Sequence, residues 1–203
     1  MAVIRSKKEL EFYLMADRMM NRGNFRKSIR DIFVPDSVMR FLVSMRKYSY
    51  YRNNKSLFSF FLSFFHGCRF RSYSQKLGFS INCDSLGYGV TIPHYGTIVV
   101  GSNDIGNYAV LHTSTCISGN GKVIGDGLYL GTGAKITTKI VLGDNVSIGA
   151  NSVVNKSFPE GNCLLVGTPA VVKKSEKAWW IRDGQYYSEL VAKCEELKTK
   201  MGI

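Results

Sequence analysis

Histidine is the residue best suited to acid–base chemistry in this chain, and the sequence contains only three. An unperturbed imidazole has a pKa of about 6.5, so it can take up and release a proton near neutral pH. His94 lies between Pro93 and Tyr95 in the stretch TIPHYGTIVV, and His112 follows 18 residues later. His66 lies in an apolar N-terminal stretch, which favours a structural role for it. The pattern around His94 decides whether its imidazole is buried or available for chemistry.

The residues around His94 belong to a long region with a six-residue period. Residues 78–167 hold 16 of the 20 glycines, and aliphatic residues recur there at every sixth position with two one-residue slips. These positions are Leu86, Ile92, Ile98, Ile105, Leu111, Ile117, Ile124, Leu130, Ile136, Leu142, Ile148 and Val154. A fixed short period indicates stacked identical units, and three six-residue faces close one coil of about 18 residues. The pattern therefore predicts a parallel β-solenoid of about four coils over 86–158, with the aliphatic residues stacked inside.

The register of this period places His94 on the outside of the predicted solenoid. Ile92 and Ile98 occupy inward positions, so the His94 side chain between them is expected to point away from the interior. His112 lies one coil further on, offset by the slip near Asp104, and is expected about one rung from His94. Several glycines directly follow aliphatic residues, where a tight corner can need a left-handed backbone. They are Gly106, Gly125, Gly131, Gly143 and Gly149.

The N-terminal part of the chain, residues 1–77, shows a helical pattern instead. Ser6 and Glu9 form a capping-box pattern before an apolar stretch and predict a helix over roughly 6–20. A second helix is predicted after Pro35 and Asp36, because apolar residues then recur at helical spacing. They are Val38, Phe41, Leu42, Met45 and Tyr48.

The third predicted helix contains LFSFFLSFF, residues 57–65, the most apolar stretch of the chain. Such a stretch is about half as long as a helix that spans a bilayer. A helix buried in the protein is the first interpretation. An interfacial membrane helix beside Arg69 and Arg71 is the alternative.

A helical pattern returns after Pro169. Apolar residues at helical spacing predict a C-terminal helix, and Trp179 and Trp180 are expected to anchor its start. These residues are Tyr187, Leu190, Val191, Cys194 and Leu197. The sequence therefore predicts three parts, a basic helical domain over 1–77, a solenoid over 78–174 and a C-terminal helix over 175–203.

The charge of the chain limits its partners. The composition is that of a folded protein, with 45% hydrophobic and 21% charged residues, and the formal net charge is +12. Residues 1–77 hold 16 Lys or Arg and 5 Asp or Glu, a net charge of +11, which leaves +1 for the other 126 residues. No nucleic-acid recognition motif accompanies this charge, so nucleic acid is not an expected partner. A solvated or oligomer-lining surface is the first interpretation, and contact with an anionic membrane surface is the alternative.

Cysteine usage and the N-terminal stretch predict the compartment. The five cysteines occur singly and without a C-x-x-C pair, which predicts reduced thiols rather than disulfides or a zinc site. The stretch MAVIRSKKEL has no apolar run after its charges, unlike a secretory signal. We therefore predict a cytoplasmic protein, with peripheral contact at the inner face of the membrane as the alternative.

Four stretches of the repeat region resemble the hexapeptide-repeat acyltransferases with a left-handed β-helix. They are HYGTIVVG at 94–101, IGDGLYLGTGAKI at 124–136, LGDNVSIGANSVVNKS at 142–157 and VGTPA at 166–170. The resemblance covers roughly 78–174 and is closest to serine acetyltransferases and the similar enzymes of capsule and surface-polysaccharide clusters. It implies a mainly β fold, a left-handed parallel β-helix of hexapeptide repeats with an N-terminal helical segment and a C-terminal helix. It also implies a homotrimer with active sites between subunits.

The same resemblance implies transfer of an acetyl group from acetyl-CoA to a hydroxyl, with His94 as general base. Acetyl transfer needs a base, a donor for the developing oxyanion and a slot that holds the thioester. His112, Tyr95 and Asp84 are expected to line the acceptor site, and Asp84, a backbone carbonyl or a neighbouring subunit to hold the His94 ring. The residues expected to line the acetyl-CoA site are Thr132, Gly133, Ala134, Ala150, Asn155, Lys156, Lys173 and Lys174.

The chain departs from serine acetyltransferases in three places. Phe79 stands where the family has the aspartate that orients its histidine, and Pro93 replaces a neighbouring acid. The stretch GNGKVIGDG at 119–127 lacks the Arg-His pair that helps to bind the amino acid. The expected acceptor is therefore a hydroxyl of a sugar or polysaccharide precursor. This acceptor is a small molecule or an oligosaccharide. Serine is the alternative, and a non-catalytic scaffold or membrane-associated binding protein is the second alternative.

A resident metal is not expected on the predicted coils. The carbonic anhydrases of the same fold hold their ion with three histidines. Only His94 and His112 lie within the repeat region of this chain.

Overall fold

Three helices precede the repeat region in a computed structural model that describes residues 3–26, 36–54 and 56–203. They are α1 (Lys7–Arg22), α2 (Ser37–Arg52) and α3 (Leu57–Leu77). The predicted capping box of α1 is confirmed, because the Ser6 hydroxyl accepts from the Glu9 amide at 3.0 Å and the Glu9 carboxylate accepts from the Ser6 amide at 3.2 Å. Asp36 caps α2, whereas Pro35 lies outside the described residues.

The repeat region is built from thirteen short strands. They are β1 (Phe79–Ile81), β2 (Ile98–Val100), β3 (Asp104–Ile105), β4 (Val110–Leu111), β5 (Thr115–Ile117), β6 (Val123–Ile124), β7 (Tyr129–Leu130), β8 (Lys135–Ile136), β9 (Val141–Leu142), β10 (Val146–Ile148), β11 (Val153–Val154), β12 (Cys163–Gly167) and β13 (Ala170–Ser175). Two helices follow, α4 (Trp179–Arg182) and α5 (Gln185–Met201).

The strands form three sheets, which are the three faces of a coil. The first face has the order β1-β2-β5-β8-β11, the second β3-β6-β9 and the third β4-β7-β10-β12-β13. The paired strands are parallel except for β12 and β13, which form an antiparallel hairpin. The predicted parallel solenoid is confirmed, and it has about five coils rather than four because it begins at β1.

The interior of the solenoid is the predicted aliphatic stack. All twelve predicted positions are buried, with at most 3% of any side chain exposed. The position of one slip differs from the prediction, because Val100 pairs with Ile117 while Ile98 pairs with Thr115. The extra residues therefore lie in the loop 93–97, which carries His94, and not near Asp104.

The prediction of a left-handed backbone at five corner glycines is wrong. Gly106, Gly125, Gly131, Gly143 and Gly149 do not have positive φ, whereas Gly127 and other corner residues do. The reason for glycine at these positions is close packing between coils. A Cβ on Gly125, for example, would lie 2.2 Å from the Asp144 carboxylate and 2.7 Å from its amide nitrogen.

The helices are packed against the coils and do not form a separate core. Phe41 of α2 is buried with its ring 5.0 Å from that of Phe79 on the first face. At the third face, α1 and α5 share a second apolar cluster with Trp179 and Tyr108. The predicted apolar face of α5 is buried there at Leu190, Val191 and Cys194, and the Trp179 indole donates to the Tyr108 carbonyl at 2.8 Å.

The interpretation of α3 as a buried helix is wrong for its N-terminal half. The apolar side chains Leu57, Phe58, Phe60, Phe61, Phe64 and Phe65 are all at least 53% exposed. Only Ser59 and Leu77 of α3 are buried. Within the described residues, no helix combines the length and apolar character that crossing a membrane requires.

His66 of α3 makes the stability of the chain sensitive to acid. Burial first, and then the nearby cations Lys47 and Arg69, together lower its pKa to about 4. Its ring stacks on Tyr51 at 5.6 Å. As the pH falls below about 6.5, His66 becomes protonated in the unfolded chain, whereas in the folded chain it stays neutral until about pH 4. The free energy of unfolding therefore decreases between these two pH values.

Replacing His66 with phenylalanine is expected to reduce this acid sensitivity. His66→Phe should remove about 1 kcal/mol of the loss in unfolding free energy between about pH 7.5 and pH 5, a value discounted for screening by water because the side chain is only partly buried. Urea unfolding at the two pH values measures it. Ala192→Phe introduces the same residue at an exposed site on α5. Between the two pH values, its unfolding free energy should fall by as much as that of the wild type. An unchanged loss in His66→Phe would contradict the assignment.

Candidate active site

His94 lies in an exposed loop at the corner between the third and first faces. The loop leaves the third face after the bridge of Thr91 to Val110 and enters the first face at β2. Ile92 is buried while Pro93, His94 and Tyr95 are exposed, as the register predicts for His94. The imidazole is therefore open to a substrate.

Two helices fix the backbone on either side of this loop. The Asn21 side chain of α1 donates to the Val90 carbonyl at 2.6 Å and accepts from the Ile92 amide at 3.1 Å. On the other side, the Gly96 amide donates to the Leu77 carbonyl at the end of α3 at 3.0 Å. These hydrogen bonds position the loop through its backbone and do not involve the His94 side chain. No sequence motif marked Asn21 for this role.

His112 lies on the next coil, beside His94. Its Nε2 is 2.9 Å from the Tyr129 hydroxyl, and Tyr129 lies one coil further. Burial lowers the pKa of His112, and the proximity of His94 lowers it further, while Asp183 opposes the shift. His112 is therefore held neutral near working pH, and the structure brings the two predicted histidines together.

A groove of about 280 Å³ runs from His112 along the same corner of the later coils. Thr132 and Ala150, two of the predicted acetyl-CoA residues, line it from successive corners. Gly131 and Gly149 line it between them, and the absence of their side chains keeps the groove open.

Two further predicted cofactor residues, Gly133 and Ala134, are buried. The Ala134 side chain is fully buried in the aliphatic interior, so its predicted role in the acetyl-CoA site is left to its backbone. The reason is the pairing of β5 with β8, which turns Ala134 inward. Gly133 lies against Asn151, whose side-chain oxygen would be 2.1 Å from an added Cβ.

The remaining predicted cofactor residues lie outside the groove. Asn155 and Lys156 are exposed after β11, at the corner between the first and second faces. Lys173 and Lys174 are exposed on β13, and Lys174 forms an ion pair with Glu176 at 3.2 Å. Lys156, Lys173 and Lys174 remain predictions for the phosphates of the cofactor, and Asn155 remains a prediction for its pantetheine arm.

Asp84 does not lie beside His94, and the expectation that it lines the acceptor site is wrong. It occupies the corner between the first and second faces of the first coil. Its carboxylate accepts from the Ser49 hydroxyl at 2.5 Å and forms an ion pair with Arg52. Asp84 therefore fastens α2 to the solenoid and cannot hold the His94 ring.

Two groove residues, Tyr129 and Arg182, were missed by the sequence reasoning. The Arg182 guanidinium lies 4.4 Å from the centre of the Tyr129 ring and donates to the Ser147 hydroxyl at 2.9 Å. It also pairs with Asp183 at 2.6 Å. Tyr129 precedes the inward Leu130, so the alternation of the strand could have marked it as outward. Arg182 reaches the groove from α4. Because α4 lies outside the repeat region, the six-residue period does not predict this position.

This arrangement can support acid–base chemistry on a bound thioester. An exposed imidazole lies beside a neutral one at the end of a narrow groove, and Tyr129, Ser147 and Arg182 line the wall with polar groups. Within residues 3–26, 36–54 and 56–203, no cluster of three or more His, Cys, Asp or Glu is placed to hold a metal ion.

Comparison with known families finds a match for part of the repeat region. Residues 121–156 match the family model of the bacterial transferase hexapeptide, described as six repeats. This part of the chain is therefore built of hexapeptide repeats, as its six-residue period predicts. No curated protein matches the chain.

Solved structures similar to this chain include serine acetyltransferases. The enzyme from Neisseria gonorrhoeae is 23% identical with a TM-score of 0.62, over 85% of this chain and 69% of that one. Its complex with serine is 22% identical with a TM-score of 0.60, over 83% and 71%. The coenzyme A complex of the enzyme from Brucella abortus strain S19 is 22% identical with a TM-score of 0.58, over 83% and 68%. At this identity the similarity is one of fold.

Proposed function

We propose that this protein is an acetyl-CoA-dependent O-acetyltransferase with His94 as its general base. The observation that carries the proposal is the exposed His94 beside neutral His112, at one end of a narrow groove on a hexapeptide-repeat solenoid. The similar solved structures support acetyl-CoA as the donor, since some contain coenzyme A.

The proposed reaction is a direct transfer. His94 takes the proton of the acceptor hydroxyl while the hydroxyl oxygen attacks the thioester carbonyl. The tetrahedral intermediate then collapses, the carbon–sulfur bond breaks, and the thiolate of coenzyme A takes the proton from the imidazolium. Because burial keeps His112 neutral, it does not oppose the positive charge that His94 carries in the intermediate.

We propose a hydroxyl of a sugar or polysaccharide precursor as the acceptor. In support, Phe79 replaces the orienting aspartate of serine acetyltransferases and is buried against Phe41, and Asp84 is bound to Arg52. Serine is the second candidate, because the similar solved structures are serine acetyltransferases and one contains serine. Incubation with acetyl-CoA and serine separates the two, since thiol release well above the rate of hydrolysis would assign serine as the acceptor.

We further propose a homotrimer. Val123 and Val141 stack on the second face and are 50% and 44% exposed, which suits a contact between subunits. A sedimentation mass of three chains would support this assembly, and a monomer would contradict it. The membrane contact of the N-terminal part is a separate proposal that rests on α3.

Enlarging Ala150 is expected to block the groove. Ala150→Leu places a bulky side chain in a groove of about 280 Å³ and should weaken acetyl-CoA binding tenfold or more, a loss of at least about 1.4 kcal/mol. Isothermal titration calorimetry measures the binding. Ala192→Leu makes the same change at an exposed site on α5 and should bind like the wild type. Unchanged affinity in Ala150→Leu would place the donor elsewhere.

A further inference from the structure

The N-terminal half of α3 exposes an apolar tip, made of Leu57, Phe58, Phe60, Phe61, Phe64 and Phe65. These six side chains are 53–76% exposed. At 3.6 residues per turn they fall within an arc of about 160° on one side of the helix. The opposite side of α3 packs on α2 and the first face, while Phe60 and Phe64 of the apolar tip also line an open cleft between α3 and the first coil. Five exposed phenylalanines on one helix are unusual for a surface in contact with water alone.

The C-terminal half of the same outward side is basic. Arg69, Arg71 and Lys76 are all exposed there. The Arg69 guanidinium lies 5.6 Å from the Phe65 ring, so the basic and apolar halves are in contact. Residues 37–83 contain eight Lys or Arg and no Asp or Glu. The apolar tip is therefore continuous with a surface of one sign of charge.

We propose that this face of α3 docks on an anionic lipid surface. The apolar tip would enter the boundary between headgroups and acyl chains, while Arg69, Arg71 and Lys76 contact the anionic headgroups. Charge favours lipid over a second copy of the chain as the occupant. Two copies would bring together segments that each lack acidic residues, whereas anionic headgroups neutralise the same charges.

Docking through α3 would also set the position of the His94 loop. Leu77 at the end of α3 holds Gly96 of that loop, so the loop lies within about one helix length, roughly 30 Å, of the inserted tip. On the proposed function, this distance suits an acceptor sugar carried on a lipid. Vesicle binding is measured without acetyl transfer. A protein that does not bind vesicles can therefore be distinguished from a protein that does not transfer acetyl groups.

Co-sedimentation of the full chain with lipid vesicles tests the docking. We expect binding to vesicles of phosphatidylcholine with about one third phosphatidylglycerol, and binding at least tenfold weaker to phosphatidylcholine alone, since roughly a fivefold gain is expected for each basic residue near an anionic surface. Phe58→Ser with Phe61→Ser should weaken binding about tenfold or more, because it removes apolar surface from the tip. Arg69→Gln with Arg71→Gln should weaken it about 25-fold at low salt.

Matched variants control for the loss of exposed apolar surface and of charge. Val171→Ser with Val172→Ser removes exposed apolar side chains from β13, and Lys177→Gln with Lys193→Gln removes two exposed charges elsewhere. Both should bind vesicles like the wild type. Failure of the wild type to bind anionic vesicles at low salt, or binding by the α3 variants that equals the controls, would overturn the proposal. An oligomer that Phe58→Ser with Phe61→Ser dissociates, in a protein that does not bind vesicles, would instead assign the face to a second copy.

Discussion

Replacing His94 with alanine is expected to lower the rate of acetyl transfer about 100-fold or more, the usual contribution of a general base. The fold should remain intact, because the His94 side chain is exposed and the loop is held through backbone groups by Asn21 and Leu77. Thiol release from acetyl-CoA with a responsive acceptor measures the rate, and thermal unfolding measures stability.

A change elsewhere in the same loop provides the control for His94→Ala. Thr97 is also exposed, and Thr97→Ala should keep the rate of the wild type within a few-fold. Full activity of His94→Ala would remove His94 from the mechanism. A loss of activity that equals the loss in Thr97→Ala would assign the effect to the loop rather than to the imidazole.

Replacing Arg46 with leucine is expected to cause the largest loss of stability, about 3–5 kcal/mol. Arg46 is fully buried and donates to the Asp17 carboxylate at 2.8 and 3.2 Å. It also donates to the carbonyls of Leu86 and Gly87, each at 2.6 Å. Without the guanidinium, Asp17 becomes a buried charge with no cation, and two buried carbonyls lose a partner.

The same ion pair supports the candidate site. Asp17 also accepts from the Val90 amide at 3.0 Å, just before the loop that carries His94. Urea unfolding of Arg46→Leu measures the effect, and Arg40→Leu changes an exposed arginine of the same helix as a control. The control should stay within about 0.5 kcal/mol of the wild type. An equally small loss in Arg46→Leu would show that the buried pair does not hold α1 and α2 on the solenoid.

The solenoid could be predicted because its stabilising contacts repeat locally. Each coil places the next aliphatic residue, such as Ile117, Leu130 or Ile148, directly above the previous one, so the period alone marks the interior. The outward position of His94 follows from the same register. The slip was misplaced at Asp104 because Ile98 and Val100 are both aliphatic, and only strand pairing distinguishes which of them joins the stack.

The contacts that lie outside the repeat could not be predicted in this way. Asn21, Arg182 and Asp84 act across long separations in the sequence, and no period relates them to the coils they contact. The sequence favours a buried α3 because hydrophobicity alone does not distinguish a core helix from a helix whose apolar side is exposed. Glycine at Gly125 was assigned to backbone conformation, whereas its cause is the neighbouring coil at Asp144.

Mass spectrometry of acetyl-CoA incubated with nucleotide sugars and short oligosaccharides tests the central claim most directly. The chemistry of His94 and the groove predicts that one of these hydroxyl acceptors gains an acetyl group with the wild type, and that His94→Ala lowers this product about 100-fold. Serine, run in parallel, identifies the second candidate acceptor. Release of coenzyme A no faster than hydrolysis with every acceptor, together with no binding of acetyl-CoA, would contradict the assignment and favour a non-catalytic solenoid.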